Sequence, residues 1–171
     1  MSEQRFNAPT GYAIRPAAHA DAAALANLTT ALALELGGED AGVDAARAAE
    51  LYLSNRYGLS VLVAARDTEI VAYASHRVEV ETAFNAVGRY LSDLYVAVEH
   101  RRNGIGRSLL TAVAQIAADE GGTFLWWLAK TDQRGPESLY AQIADVQTPV
   151  TAFAATRDQF QQVISVRAER R

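Results

Sequence analysis

Residues 94–110, LYVAVEHRRNGIGRSLL, contain the feature that most limits how this chain can fold. Apolar residues alternate up to Val98, as in a strand. Arg101, Arg102 and Arg107 then surround Gly104 and Gly106, and Ile105, Leu109, Val113 and Ile116 recur at helical spacing. A strand that passes into a helix through glycines sets the unpaired N–H groups and the positive dipole end of that helix beside the strand. Phosphates bind such ends readily. Glycines remove side chains that would keep the backbone from a ligand, successive N–H groups can form an anion nest, and guanidinium groups add charge-assisted contacts. For an isolated G-x-G the plainer reading is a loop glycine pair with solvated arginines.

The rest of the chain favours a discrete anionic ligand. A net charge of −4 over 171 residues does not give the basic surface that general nucleic-acid binding needs. There is no cysteine, which excludes disulfides, thiolate metal sites and a cysteine nucleophile. His19, His76 and His100 are far apart and lack metal-ligand spacing, so no metal is expected. The opening MSEQRFNAPTGYAIRP has no apolar core of the signal-peptide kind, and FLWWLA is too short to span a bilayer. The expectation is one domain over 1–171 with a frayed tail from 165, cytoplasmic, with neither nucleic acid nor membrane as partner.

Periodicity predicts a mixed α/β sheet in the order β-α-α-β-β-β-α-β-α-β. GYAIRPA is a first strand stopped by Pro16. A helix covers His19–Leu36 with Leu25, Leu28, Leu32 and Leu36 on one face, and a second covers Val43–Asn55. SVLVAARDTEIVAYASHRVEVE reads as a hairpin about the turn Arg66–Glu69. RYLSDLYVAV is the strand leading into the glycine junction, whose helix ends at Gly121-Gly122. TFLWWLAK reads as a strand buried on both faces, with Trp126 or Trp127 in the core. ESLYAQIA, opened by Pro136, is a short helix, and TPVTAFAAT a late strand.

No G-x-x-x-x-G-K-[ST] occurs, the third glycine of a dinucleotide fingerprint is missing, and there is no G-x-S-x-G elbow. DLYVAVEHRRNGIGRSLL resembles the acetyl-CoA-binding segment of the GNAT superfamily of N-acetyltransferases. Arg101-Arg102-Asn103-Gly104-Ile105-Gly106 fits that family's [QR]-x-x-G-x-[GA] pattern, and the element order is similar along nearly the whole chain.

The resemblance implies acetyl-CoA as co-substrate, held by the strand Leu94, Tyr95, Val96 and Val98 and by the loop Arg101, Arg102, Asn103, Gly104, Ile105, Gly106, Arg107 and Ser108. It also implies a bulge that splays this strand from TFLWWLAK. The reaction implied is direct attack by a primary amine, in a ternary complex, on the acetyl thioester. Tyr140, in the family's LY position, is the implied acid, a role that suits a phenol protonated at neutral pH. The family's usual asparagine before this helix is replaced within TDQRGPE, and the usual GF is missing from LYAQIADV.

YLSDLYV is similar to the YLEDLYV of diamine N-acetyltransferase-like members, with Ser92 in place of their glutamate. Alternation predicts Ser92 and Asp93 on opposite faces. Glu35, Glu39 and Asp40 are the expected acidic rim for a cationic acceptor, with Ser92 and Asp93 beside it, while His76 could line the slot. A small-molecule amine is the expected acceptor and a homodimer the expected assembly. The alternatives are acetylation of a protein or peptide amine, and a catalytically weak or inactive CoA-binding regulatory domain.

Overall fold

The computed structural model describes residues 6–38, 42–129 and 137–165. Glu39, Asp40, Pro136 and the tail beyond Ser165 lie outside the described residues. The chain divides into two compact units, Met1–Asp132 and Gln133–Arg171.

In the first unit the described strands form one five-stranded sheet in the order β1-β2-β3-β4-β5. These are β1 (Ala13–Pro16), β2 (Ser60–Arg66), β3 (Glu69–Glu81), β4 (Ala86–Val96) and β5 (Leu125–Trp127). Neighbours pair antiparallel except β4 and β5, which are parallel. A parallel pair needs a crossover, and α3 (Ile105–Asp119) supplies it. The expected hairpin turn is present, with Asp67 at φ +53° and Arg66 opposite Glu69.

Helices cover both faces of the sheet. α1 (Ala22–Glu35) sends Leu25 and Leu28 against Val61, Val63, Tyr73 and Tyr95. Side chains alternate along a strand, so Leu62 and His76 face the other way, towards α3, which buries Ile105, Leu109, Leu110 and Val113. The apolar stripe of α1 is shorter than its leucines imply, because Leu36 lies beyond the helix and is exposed. A short 3-10 turn, His19–Asp21, starts that helix, and Asp21 fixes it. Its carboxylate accepts from the Ala18 backbone N–H at 2.7 Å and from Arg15 at 2.6 and 2.9 Å.

The expected helix over 43–55 is α-helical only in α2 (Ala45–Ala48), which Asp44 caps by accepting from the Arg47 N–H at 2.7 Å. It continues as a π-helical turn, Ala49–Leu53. α3 ends as expected at the glycine pair: Gly121 has φ +81°, and the Gly122 N–H reaches the Ala117 carbonyl at 2.7 Å.

β5 is narrower and less buried than its apolar run suggests. Among the described residues only Leu125–Trp127 pair, and all three, both tryptophans included, are half-buried. Among the described residues β5 is the last strand of the sheet, so one of its sides has no neighbour to bury it.

In the second unit, α4 (Glu137–Ile143) forms where a helix was expected. The expected late strand does not: 148–156 is irregular, and the chain instead makes α5 (Arg157–Ser165), where the sequence predicted no helix. The Thr156 carbonyl accepts from the Gln159 and Phe160 N–H groups and starts that helix. Pro149 has no N–H to give a ladder, which weakens the preceding run as a strand.

Candidate active site

The site is built around one irregularity in β4. Along most of the β3–β4 pair the register is regular, but Ser75 pairs with Asp93 and His76 with Leu91. Ser92 is therefore an extra residue on β4, a β-bulge of the kind that bends a strand and re-aims its side chains. The parallel ladder to β5 covers Arg89, Tyr90 and Leu91, paired with Leu125, Trp126 and Trp127. Among the described residues it ends there, one residue before the bulge. Beyond that point β4 keeps β3 on one side and parts from β5 on the other.

The backbone of β4 past the bulge has a definite polarity. The Ala97 N–H donates to the Val71 carbonyl at 2.9 Å, which makes Val71–Ala97 a hydrogen-bonded pair. Such pairs alternate along an antiparallel ladder. Tyr95, opposite Tyr73, thus turns its N–H and C=O to β3, whereas Leu94 and Val96 turn theirs towards the β5 side. The Tyr95 ring goes into the core, where the residue is 7 % exposed. Of the strand residues expected to hold a cofactor, Leu94 and Val96 present backbone groups at the gap and Tyr95 does not. Val98 sits past the strand in a 3-10 turn, Val98–His100, with its side chain exposed.

The glycine junction follows directly. Gly104 is the residue before α3, at φ +79°, and no side chain caps the helix. The first intrahelical bond runs from the Ser108 N–H to the Gly104 carbonyl at 3.0 Å, so the N–H groups of the first turn precede it. Ile105 anchors the turn in the core at 1 % exposure. Asn103 closes the loop on itself, its side-chain amide donating to the carbonyls of His100 and Arg101 at 3.1 and 3.3 Å. Arg102, at φ +64°, and Arg107 are exposed on this loop and first turn. On its other side the Tyr12 hydroxyl meets His100 Nδ1 at 3.1 Å.

Arg101 is differently engaged. Its Nε donates to the Val96 carbonyl at 2.9 Å, its Nη2 to Glu35 at 2.5 Å, and its guanidinium lies over the Tyr95 ring. This one of the three arginines expected near cofactor phosphates ties the end of α1 to the end of β4. Glu35, expected as a free acidic rim residue, is the other half of that tie.

The bulge also overturns the expectation that Ser92 and Asp93 face apart. Ser75 donates to Asp93 at 2.6 Å, and Arg77 donates to Ser92 at 3.3 Å. Ser75 and Arg77 are two apart on β3 and share a face, so Ser92 and Asp93 share it too. That face is the one α1 covers, and it also carries Tyr73, with Tyr52 of the π-helical turn edge-on to the Tyr73 ring at 6.4 Å between centroids. Burial holds the Asp93 carboxyl above its ordinary range, partly offset by the Ser75 hydrogen bond. Burial likewise raises the phenols of Tyr52 and Tyr73, and the Asp93 charge adds to both.

His76 does not join this group. It is 1 % exposed, lies on the α3 face and lines a cavity with Arg89, Asp119 and Glu120. Burial and the nearby Arg89 lower its pKa to about 4, so it is neutral at pH 7. Arg89 is itself buried and paired with Glu120. Tyr140 belongs to the second unit, on α4, where it is half-buried and burial raises its phenol. Among the described residues no group of three or more His, Asp or Glu could hold a metal, and no helix is long and apolar enough to cross a membrane.

A mixed sheet that parts beside a bulge, with a glycine-led helix at the split, is a scaffold shared with known proteins. The model of the acetyltransferase (GNAT) family matches residues 29–143, well over half of the chain, and the protein belongs to that family. No curated protein matches it. Solved structures do. An integron cassette protein from the mobile metagenome of V. cholerae is 18 % identical, with 91 % of this chain and 98 % of that one covered at a TM-score of 0.75. An aminoglycoside acetyltransferase from an uncultured soil metagenomic sample is 22 % identical, covering 86 % and 97 %, at 0.71. Ribosomal-protein-alanine N-acetyltransferase from Brucella melitensis biovar Abortus is 25 % identical, covering 83 % and 99 %, at 0.68.

Proposed function

We propose that the protein transfers the acetyl group of acetyl-CoA to a primary amine of a small molecule, by direct attack in a ternary complex. The observation that carries this is the parting of β4 from β5 after Leu91, with the backbone of Leu94 and Val96 aimed into the opening and the uncapped first turn of α3 at its end. An extended arm bearing amides fits the strand edge as an added strand fits a sheet, and a pyrophosphate fits the helix N-terminus.

When bound, acetyl-CoA supplies an acyl carbon activated as a thioester, which accepts the amine nitrogen as the carbon–sulfur bond breaks. The chain does the rest. The edge of Leu94 and Val96 fixes the arm in line, which removes much of the entropic barrier. The Val96 N–H is aimed to stabilise negative charge that develops on the acyl oxygen. Arg101 already occupies the Val96 carbonyl, which leaves the Leu94 carbonyl as the acceptor for an amide of the arm. Asp93, on the acceptor face, takes the proton from the attacking amine. Its raised pKa suits a base, because it narrows the gap to the amine. Tyr140 is assigned the acid that protonates the leaving thiolate, on the resemblance of its LY motif.

Thermal unfolding with acetyl-CoA, against ATP and NAD as controls, tests the reading. Ligand at 100 times its Kd stabilises by about 2.7 kcal/mol, roughly 5–10 °C for a chain of this size. A shift with acetyl-CoA alone, followed by thiol release when an amine is added, is the expected outcome. No shift at saturation would overturn it.

A further inference from the structure

Resting on the acetyltransferase reading, we propose that the acceptor is an amino acid: an amine whose carboxylate is held by Arg77 while the amine itself is held by Asp93. The bulge at Ser92 brings these two groups to one face, since Asp93 meets Ser75 and Arg77 meets Ser92 across the same strand pair. Ser75, which Asp93 meets, stands roughly 7 Å along β3 from Arg77, and Arg77 reaches Ser92, the residue next to Asp93. A zwitterion of matching polarity bridges that spacing. A diamine would set its second ammonium against the guanidinium.

Two further observations support a carboxylate at Arg77. Its guanidinium lies over the Tyr90 ring at 4.3 Å, which holds the planar fork in place. One arm donates to Ser92, and the other meets the Glu79 carboxylate at 3.2 Å. Arg77 is exposed and Glu79 half-buried, so the pair is largely solvent-screened and weak, and a ligand carboxylate can replace it. On the same side of the sheet, Glu35 is bound to Arg101. Of the acids expected to draw a cationic acceptor, Glu35 is thereby paired and Glu39 and Asp40 lie outside the described residues, while a guanidinium stands next to the base.

The test uses the full chain with acetyl-CoA and three acceptors of similar length: an amino acid, its carboxamide and a diamine. Wild type is expected to favour the amino acid over the carboxamide by about tenfold or more in kcat/KM, the scale of one charge-assisted contact. Arg77→Ala should pull that ratio to within about threefold of one, mainly through the amino acid's KM, and Arg77→Lys should restore part of it. Preference for the diamine, equal use of acid and carboxamide, or an Arg77→Ala loss shared equally by both would overturn the inference alone. No turnover of any of the three would overturn the acetyltransferase reading beneath it. Unfolding curves for both variants confirm that the exposed substitution leaves the fold intact.

Discussion

Across the β3–β4 pair, the Ser75 hydroxyl donates to the Asp93 carboxylate at 2.6 Å, immediately beside the bulge that separates β4 from β5. A half-buried carboxylate with one hydroxyl partner carries a cost in stability. Its folded pKa lies above the unfolded value because burial disfavours the charged form. Such a group contributes stability below its unfolded pKa and loses it as pH rises through the folded one.

Asp93→Asn therefore separates the two roles. At pH 7–8 it should raise Tm or leave it unchanged, because the variant buries no charge. In the same protein kcat should fall by about 10²-fold, the usual contribution of a positioned base. Wild-type activity should climb with pH as Asp93 gives up its proton. A Tm drop accompanied by full activity would remove Asp93 from the reaction.

Gly104 and Gly121 have nearly the same backbone, at φ +79° and +81°, but only Gly104 leads into the proposed phosphate site. A Cβ on Gly104 would meet Pro9 Cγ at 3.6 Å, an ordinary contact, so Gly104→Ala acts through backbone strain of about 1–2 kcal/mol. Gly121→Ala should cost a similar amount. Acetyl-CoA titration should show affinity lost, about tenfold, in Gly104→Ala alone. Equal affinities would mean that the loop geometry does not hold the cofactor.

Asp21 carries an opposite pH signature. The Arg15 hydrogen bond holds its carboxyl below the usual 3.8, burial opposing and the Ala18 N–H assisting. A lowered pKa gives stability above the unfolded value and loses it as pH falls through the folded one, because the unfolded chain then binds the extra proton. Asp21→Asn should cost about 1.5–3 kcal/mol at pH 7, the value of a charged hydrogen-bonding partner. Its unfolding curves should also depend less on pH below about 4 than those of wild type.

Gly88 sets the start of the β4–β5 contact. An added Cβ would lie 2.3 Å from the Phe124 carbonyl oxygen and 2.7 Å from its ring, so the segment entering β5 would have to move. The Arg89 N–H bond to that carbonyl, at 3.1 Å, would be lost with it. Gly88→Ala should destabilise by about 1–3 kcal/mol, as overpacking does. Tryptophan emission should shift red, because Trp126 and Trp127 pair with β4 only two and three residues further on. Unchanged emission would show that β5 tolerates the displacement.

What the sequence alone determined is what local periodicity and backbone chemistry carry. The hairpin, α1, α3 with its glycine stop, the helix over Tyr140 and the strand–glycine–helix junction are each set by spacing and turn residues within a few positions. Tertiary structure decided the rest, because pairing register and distant neighbours control it. Alternation cannot show that one extra residue at Ser92 resets the phase and turns Asp93 to the face that α1 covers. Nor can it show that Leu94 and Val96, rather than Tyr95, aim their backbone at the gap, since that depends on which β3 residue each one opposes. Spacing does not distinguish Arg101 from Arg102 and Arg107, and only folding brings Glu35, 66 positions earlier, within reach of Arg101. The apolar run at 123–130 reads as a buried strand, yet Leu125–Trp127, its paired part, is half-buried because burial depends on what lies beside it.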